Sequence, residues 1–479
     1  MRTRPPLLVV LSIGFLVGCE KSAPAPEQRA TQPPAKSSGT NDASAEKLGK
    51  AAQEQSHSAA TPKPKRKNRA QRDRERKTYA AELTQLDTDI AGIDGLIKNA
   101  PANRLNYERS SAAFMQRARL TGSYEDYAKA ETALGIAFDY KPASGTFMLR
   151  SKLHYTLHRL PEARADFETA KPSADRSPGG VASIEAFEAN LAMQAGDSKK
   201  AEQHFEASLA SKRTSSNLAS VAVYRWKTGE FEQAEALFRE ALKSYHGKPM
   251  EPPAWLHLNL GLLDLDRGRY DDALAHYREA ETFLKGYWLI DEHIAEILTL
   301  QGKTEEAKTL YLDILERTNN PEFMDAMAGI LFEEGRDDEA KAYVAKARKR
   351  YEEQMEKYPE AAYGHALGHY IEFGEDPAFV LELAQKNYAL RPNLEAAVML
   401  AQAQLKAGDA KAAAKALAPT LKSKFKSAEL YVTAATVQTR LGQEKNVRGL
   451  LEKAREIDPS SEVHPPETVD LAAEPSSAN

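Results

Sequence analysis

One register recurs along most of this chain and constrains its fold more than any other feature. The segment GEFEQAEALFREAL, from Gly229, lies in register with GRYDDALAHYREAE, from Gly268. Each has Gly, an aromatic two on, Ala five on, an aromatic nine on and Ala twelve on: Gly229, Phe231, Ala234, Phe238, Ala241 and Gly268, Tyr270, Ala273, Tyr277, Ala280. Further copies begin at Gly196, Gly302 and Gly335, and weaker ones at Gly408 and Gly442. Another has His158 in the glycine slot, with Ala163, Phe167 and Ala170 behind it. The copy at Gly122 keeps the shape without the alanine, and the one at Gly374 fits with one residue inserted near Pro377. Successive anchors are 33 to 39 residues apart, commonly 34.

Each unit reads as two amphipathic helices, with apolar residues at helical spacing. The glycine falls at the turn, where a left-handed residue ends the first helix cheaply. The alanines mark close helix contacts that a larger side chain would overpack. Pro142, Pro172, Pro359, Pro392 and Pro459 close second helices. One unit cannot bury its own apolar face, so units must stack. The register resembles the tetratricopeptide repeat (TPR), over residues 103–459. The resemblance implies an all-α fold, a TPR α-solenoid: a right-handed superhelix of antiparallel helix pairs whose first helices line the concave surface. Residues 78–102 read as one more helix, an N-terminal cap. No strand-rich stretch and no second domain type is visible.

The ends read differently. Arg2 and Arg4 precede an apolar run, Leu7 to Val17, too short for the about 20 residues of a membrane span. A charged start, an apolar run and small residues at the exit predict a signal peptide over residues 1–18. Leu16-Val17-Gly18-Cys19 resembles the lipobox of bacterial lipoproteins, and Cys19 is the sole cysteine of the chain. That resemblance implies lipidation of Cys19, and Glu20 in place of Asp implies the outer rather than the inner membrane, facing the periplasm. Acyl chains, at about 0.8 kcal/mol per buried methylene, would make the attachment lasting. Residues 19–77 lack periodicity, are rich in Ser, Ala, Pro, Gln and Thr, and end in the basic run PKPKRKNRAQRDRERK. They are expected to be a disordered tether, as is the tail, 460–479. The basic run reads as a solvated tether end, with contact to anionic lipid or wall polymer as the sharper alternative. A net charge of −4 exerts no general pull on nucleic acid, and none is expected as a partner.

Catalytic patterns are scarce. LQGKT, Leu300 to Thr304, ends like a phosphate loop, but Ile297 stands where the loop needs glycine. Paired acids such as Asp271-Asp272 and Asp337-Asp338 fall at helix starts, where they complement the helix dipole. His365, His369 and Glu372 share one helical face at i, i+4, i+7 and could in principle hold a divalent metal. Adjacent elements supply no evident fourth ligand, so rim polar residues are the simpler reading and no cofactor is expected.

Trp226, Trp255 and Trp288 are the only tryptophans and fall in consecutive units, with Asn259 nearby. Aromatics dominate binding hot spots, so these four residues mark the expected partner groove, against buried packing as the plain alternative. The expected function is a membrane-anchored adaptor that binds a protein or peptide partner in the cell envelope and is not an enzyme. The rivals are a metal-dependent hydrolase built on His365, His369 and Glu372, and a glycan-binding lipoprotein.

Overall fold

The computed structural model describes residues 78–247 and 249–462. Cys19, the apolar run, the basic segment and residues 463–479 lie outside them. Among the described residues there are α-helices, one short 3-10 turn (Lys171–Ser173) and no strand, only an isolated bridge between Thr78 and Lys285. Helix α1 (Tyr79–Asn99) is followed by ten helix pairs. These are α2 (Arg104–Thr121) with α3 (Tyr124–Asp139), α4 (Ser144–Thr156) with α5 (Leu160–Ala170), α6 (Pro178–Gln194) with α7 (Ser198–Ser211), α8 (Ser215–Lys227) with α9 (Phe231–Ser244), and α10 (Glu251–Leu265) with α11 (Tyr270–Phe283). The second half holds α12 (Trp288–Leu300) with α13 (Thr304–Thr318), α14 (Pro321–Glu333) with α15 (Asp337–Lys357), α16 (Pro359–Phe373) with α17 (Pro377–Leu390), α18 (Leu394–Lys406) with α19 (Ala410–Lys422), and α20 (Ala428–Arg440) with α21 (Glu444–Ile457). The fold is the all-α TPR-type solenoid that the register implies. No described helix is long and apolar enough to cross a membrane.

The turn chemistry is visible at α8. Gly229 has φ +79°, its N–H bonds the Trp226 carbonyl at 2.9 Å, and the Glu230 N–H bonds the Arg225 carbonyl at 2.8 Å. This pair of bonds, closed by a left-handed residue, satisfies carbonyls that a helix end would otherwise orphan. The repeat alanines Ala234, Ala241, Ala273 and Ala280 are fully buried, as are Phe238 and Tyr277. Second helices bury one stripe: α9 hides only Ala234, Phe238 and Ala241. First helices of the central units are buried more widely, as in α10, where residues from Glu251 to Leu265 are hidden on every face. A helix hydrophobic on all sides belongs inside. The first helices therefore form the inner layer of the superhelix.

That inner layer is closed over by the chain itself. The intra-pair turns of the first five units meet the junctions of the later ones. The Trp288 indole N–H donates to the Leu120 carbonyl at 2.9 Å, and Tyr124 stacks on Tyr358 at 5.7 Å. His158 lies 3.3 Å from the Glu360 carbonyl and 3.1 Å from the Arg391 guanidinium. Asn393 donates to Gln194 at 2.9 Å, and the Lys426 N–H bonds the Lys227 carbonyl at 2.8 Å. At Gly196 a Cβ would stand 2.4 Å from the Pro392 carbonyl oxygen, so only glycine permits that approach. Helix α1 is tied in at its start, where the Tyr79 N–H bonds the Lys285 carbonyl at 3.0 Å and Glu82 accepts from the Met250 N–H at 3.0 Å.

Candidate functional site

Trp226 ends α8 inside the closed layer. It is 6% exposed, and its indole N–H donates to Asp266 at 2.8 Å. The Lys227 ammonium sits 4.4 Å from the indole centroid and 3.2 Å from Glu395. Burial pulls the Lys227 pKa down, but Glu395 and Asp266 outweigh it and hold the pKa above its usual value. Trp288 opens α12 against Phe323 at 5.8 Å, with its N–H engaged by Leu120. Both indoles pack in the one large apolar cluster of the central units. Asn259 is buried, its amide donating to the Trp255 carbonyl one turn back at 2.8 Å.

Trp255 differs from the other two tryptophans. It is half-buried on α10, edge-on to Phe238 at 6.5 Å, at the margin of a separate cluster built from Leu218, Phe238, Leu256 and Leu260. Among the described residues its indole N–H has no hydrogen bond. Trp226 and Trp288 thus share one cluster, Trp255 stands on another, and Asn259 faces inward beneath it.

His365, His369 and Glu372 all lie on α16. Instead of meeting at one point, each histidine takes its own carboxylate from α14. His365 Nδ1 is 2.5 Å from Glu322, and His369 Nδ1 is 2.7 Å from Asp325, which also accepts from the Tyr351 hydroxyl at 3.0 Å. Burial drives the Glu372 pKa well up, and the Asp325 charge adds to the rise. Burial alone would raise Glu322 too, but the His365 charge and hydrogen bond bring it below its usual value.

A third polar group was missed in the sequence. Among the described residues, the one set of three whose ligand atoms lie within 4.8 Å of one another is Glu292, His293 and Glu296, on α12. The signal was present as a charged DEH-x-x-E run inside a helix whose Ile290, Ile294, Ile297 and Leu298 are buried. Together α12, α14 and α16 carry a file of buried acids and histidines along the inner layer.

Residues 213–285, spanning α8 to α11, match the tetratricopeptide repeat family. No curated protein matches the chain in sequence. Among solved structures, a tetratricopeptide repeat protein from Parabacteroides merdae is 16% identical, with 51% of this chain and 93% of that one covered and a TM-score of 0.32. The TPR domain of P58(IPK) is 15% identical over 78% of this chain and 93% of that one, with a TM-score of 0.25. Human IFIT1, solved as a dimer with PPP-AAAA, is 15% identical over 73% and 89%, with a TM-score of 0.36. What those proteins bind says nothing about this one. The chain is an all-α helical-repeat solenoid, and its central units carry the tetratricopeptide repeat.

Proposed function

We propose that this protein is a membrane-anchored TPR scaffold that holds a protein or peptide partner in the cell envelope. Trp255 carries the reading of where: it is a large aromatic at the margin of the core, half-buried, with an unengaged indole N–H, within the repeats that match the family. The inner layer is filled by the chain's own side chains, so a partner is expected on the outer margin around α9 and α10. Anchor aromatics in such positions are typically worth about 2 kcal/mol or more on truncation. Trp255→Ala should therefore weaken partner capture about thirtyfold. Melting curves run alongside separate this from unfolding; unchanged affinity of the folded fraction would mean that Trp255 only packs. The anchor is tested separately. Cys19→Ser should move the protein from the membrane to the soluble fraction, and a variant still membrane-bound after a salt wash would end the lipoprotein reading. The outer membrane, facing the periplasm, is the proposed location.

A further inference from the structure

The buried group on α12 poses a charge problem that its own protons solve poorly. His293 is 1% exposed and its Nδ1 lies 3.1 Å from a Glu292 oxygen and 3.2 Å from a Glu296 oxygen. One proton on Nδ1 can point well at only one of them. It serves Glu296, and the facing Glu292 oxygen (Oε2) is left buried without a hydrogen bond. Protonating the whole imidazole also buries a charged N–H at Nε2, which has no acceptor. A charged donor without a partner in the interior is costly. Glu322, engaged by His365 on the next first helix, adds negative charge to the same region.

A second observation comes from another helix. Tyr277, on α11, is fully buried, and its ring lies flat on His293, with centroids 5.3 Å apart and planes 21° apart. Gly261 leaves the space this ring fills: a Cβ there would stand 2.2 Å from Cε1. The phenol is thus held over the group, and Glu296 and Glu292 are the charges that act on it most. Yet its hydroxyl has no hydrogen-bond partner.

We propose that Glu292, His293 and Glu296 bind a divalent first-row transition cation, such as zinc or manganese, beside the Tyr277 ring that stacks on His293. One imidazole nitrogen and two carboxylate oxygens form a donor set suited to such ions. Metal–ligand bonds of about 2.1 Å place neighbouring ligand atoms about 3.4 Å apart in a tetrahedral site. The observed separations of 3.1 and 3.2 Å are close to that spacing. A cation among the three atoms gives the Glu292 oxygen a partner and neutralises both carboxylates, while the imidazole ligates through Nδ1 and keeps its one proton on Nε2 as an uncharged donor. The site is structural in character and goes beyond the scaffold reading.

The test uses the full chain, stripped with a chelator, dialysed, and titrated with Zn²⁺ or Mn²⁺ by calorimetry near pH 7. One equivalent should bind with a Kd of about 1 μM or tighter. At about a hundredfold excess over Kd, the melting temperature should rise by about 3 °C. Glu296→Gln, which keeps the side-chain volume, should lose about 100-fold in affinity, the upper range already seen for groups merely supporting a ligand. His365→Gln should bind as the parent does. Less than about one tenth of an equivalent of either metal would overturn the proposal. So would binding that survives Glu296→Gln or disappears with His365→Gln. The stoichiometry is measured on the unmodified chain and needs no variant to fold.

Discussion

At the scale of single residues, His158 shows what a repeat register can conceal. It occupies a glycine slot with φ +60°, a conformation costing a non-glycine residue about 1 kcal/mol or more. The side chain accounts for its presence. Its Nε2 accepts from the Arg391 guanidinium at 3.1 Å, and the ring reaches the Glu360 carbonyl. Burial and the Arg391 charge hold the His158 pKa well below its usual value, so the ring stays neutral and can accept. Arg391 is itself 2% exposed, and burial brings its pKa down to about 10. His158→Gly should relieve the backbone yet still lower stability by about 1–2 kcal/mol, because a buried charged donor loses its acceptor. Urea unfolding would check this; a glycine variant more stable than the parent would show that Arg391 does not depend on the imidazole. The histidine was legible as a departure from the register. Its reason was not, because the partners lie 202 and 233 residues away. Trp226 and Trp288 teach the same lesson: their type was plain in the sequence, but the Asp266 and Leu120 acceptors that hold them were not.

Elements were the most legible level, because each helix pair is decided by residues within one unit. The glycines at the turns and the alanines at close contacts occupy the places that the spacing requires, and Ala234 is fully buried. Ala234→Leu should cost about 1–3 kcal/mol by overpacking the contact of α8 with α9; a melting curve that did not move would displace Ala234 from that contact. Contacts between units were less legible. Glu188 on α6 is 3% exposed and lies among Arg164 of α5 at 2.9 Å, Lys200 of α7 at 2.9 Å and Lys171 at 3.4 Å. Burial alone would raise this carboxyl, but the Lys200 and Arg164 hydrogen bonds and the Lys171 charge outweigh it, lowering the pKa from 4.5 to about 2. A carboxylate so depressed contributes stability that is present above its unfolded pKa and lost as the pH falls through the folded one. Its cations are themselves partly solvated, which limits the contribution to about 1–2 kcal/mol. Glu188→Gln should be less stable than the parent at pH 7 and converge with it as the pH falls from 4.5 towards 2. A gap that persisted at the acid end would mean that the lost contribution is packing rather than charge.

At the scale of the whole molecule, closure is the feature that no single unit announces. Each unit adds a small rotation to the next, and whether the accumulated superhelix stays open or meets itself depends on angles that a repeat register does not encode. Here it meets itself, from Leu120 and Trp288 through His158 and Arg391 to Lys227 and Lys426. An open array unfolds by nearest-neighbour loss, whereas one tied across distant units should unfold together. Tryptophan emission, which reports units four to six, and far-ultraviolet circular dichroism, which reports every helix, should therefore give coincident urea transitions. A clear separation of the two would indicate independent halves. Closure also explains why the inner layer carries buried ion pairs in place of an open groove, and why the scaffold reading turns to Trp255. It is tested most directly by a cross-link. A Cβ at Gly229 would stand 3.7 Å from the Cβ of Lys426, within the range of disulfides, whose mean is about 3.8 Å. With Cys19→Ser removing the native thiol, the pair Gly229→Cys and Lys426→Cys should oxidise to one intramolecular disulfide, running faster on a non-reducing gel with helicity retained. If both thiols instead stay open to maleimide in the folded protein under the same oxidant, the superhelix is not closed.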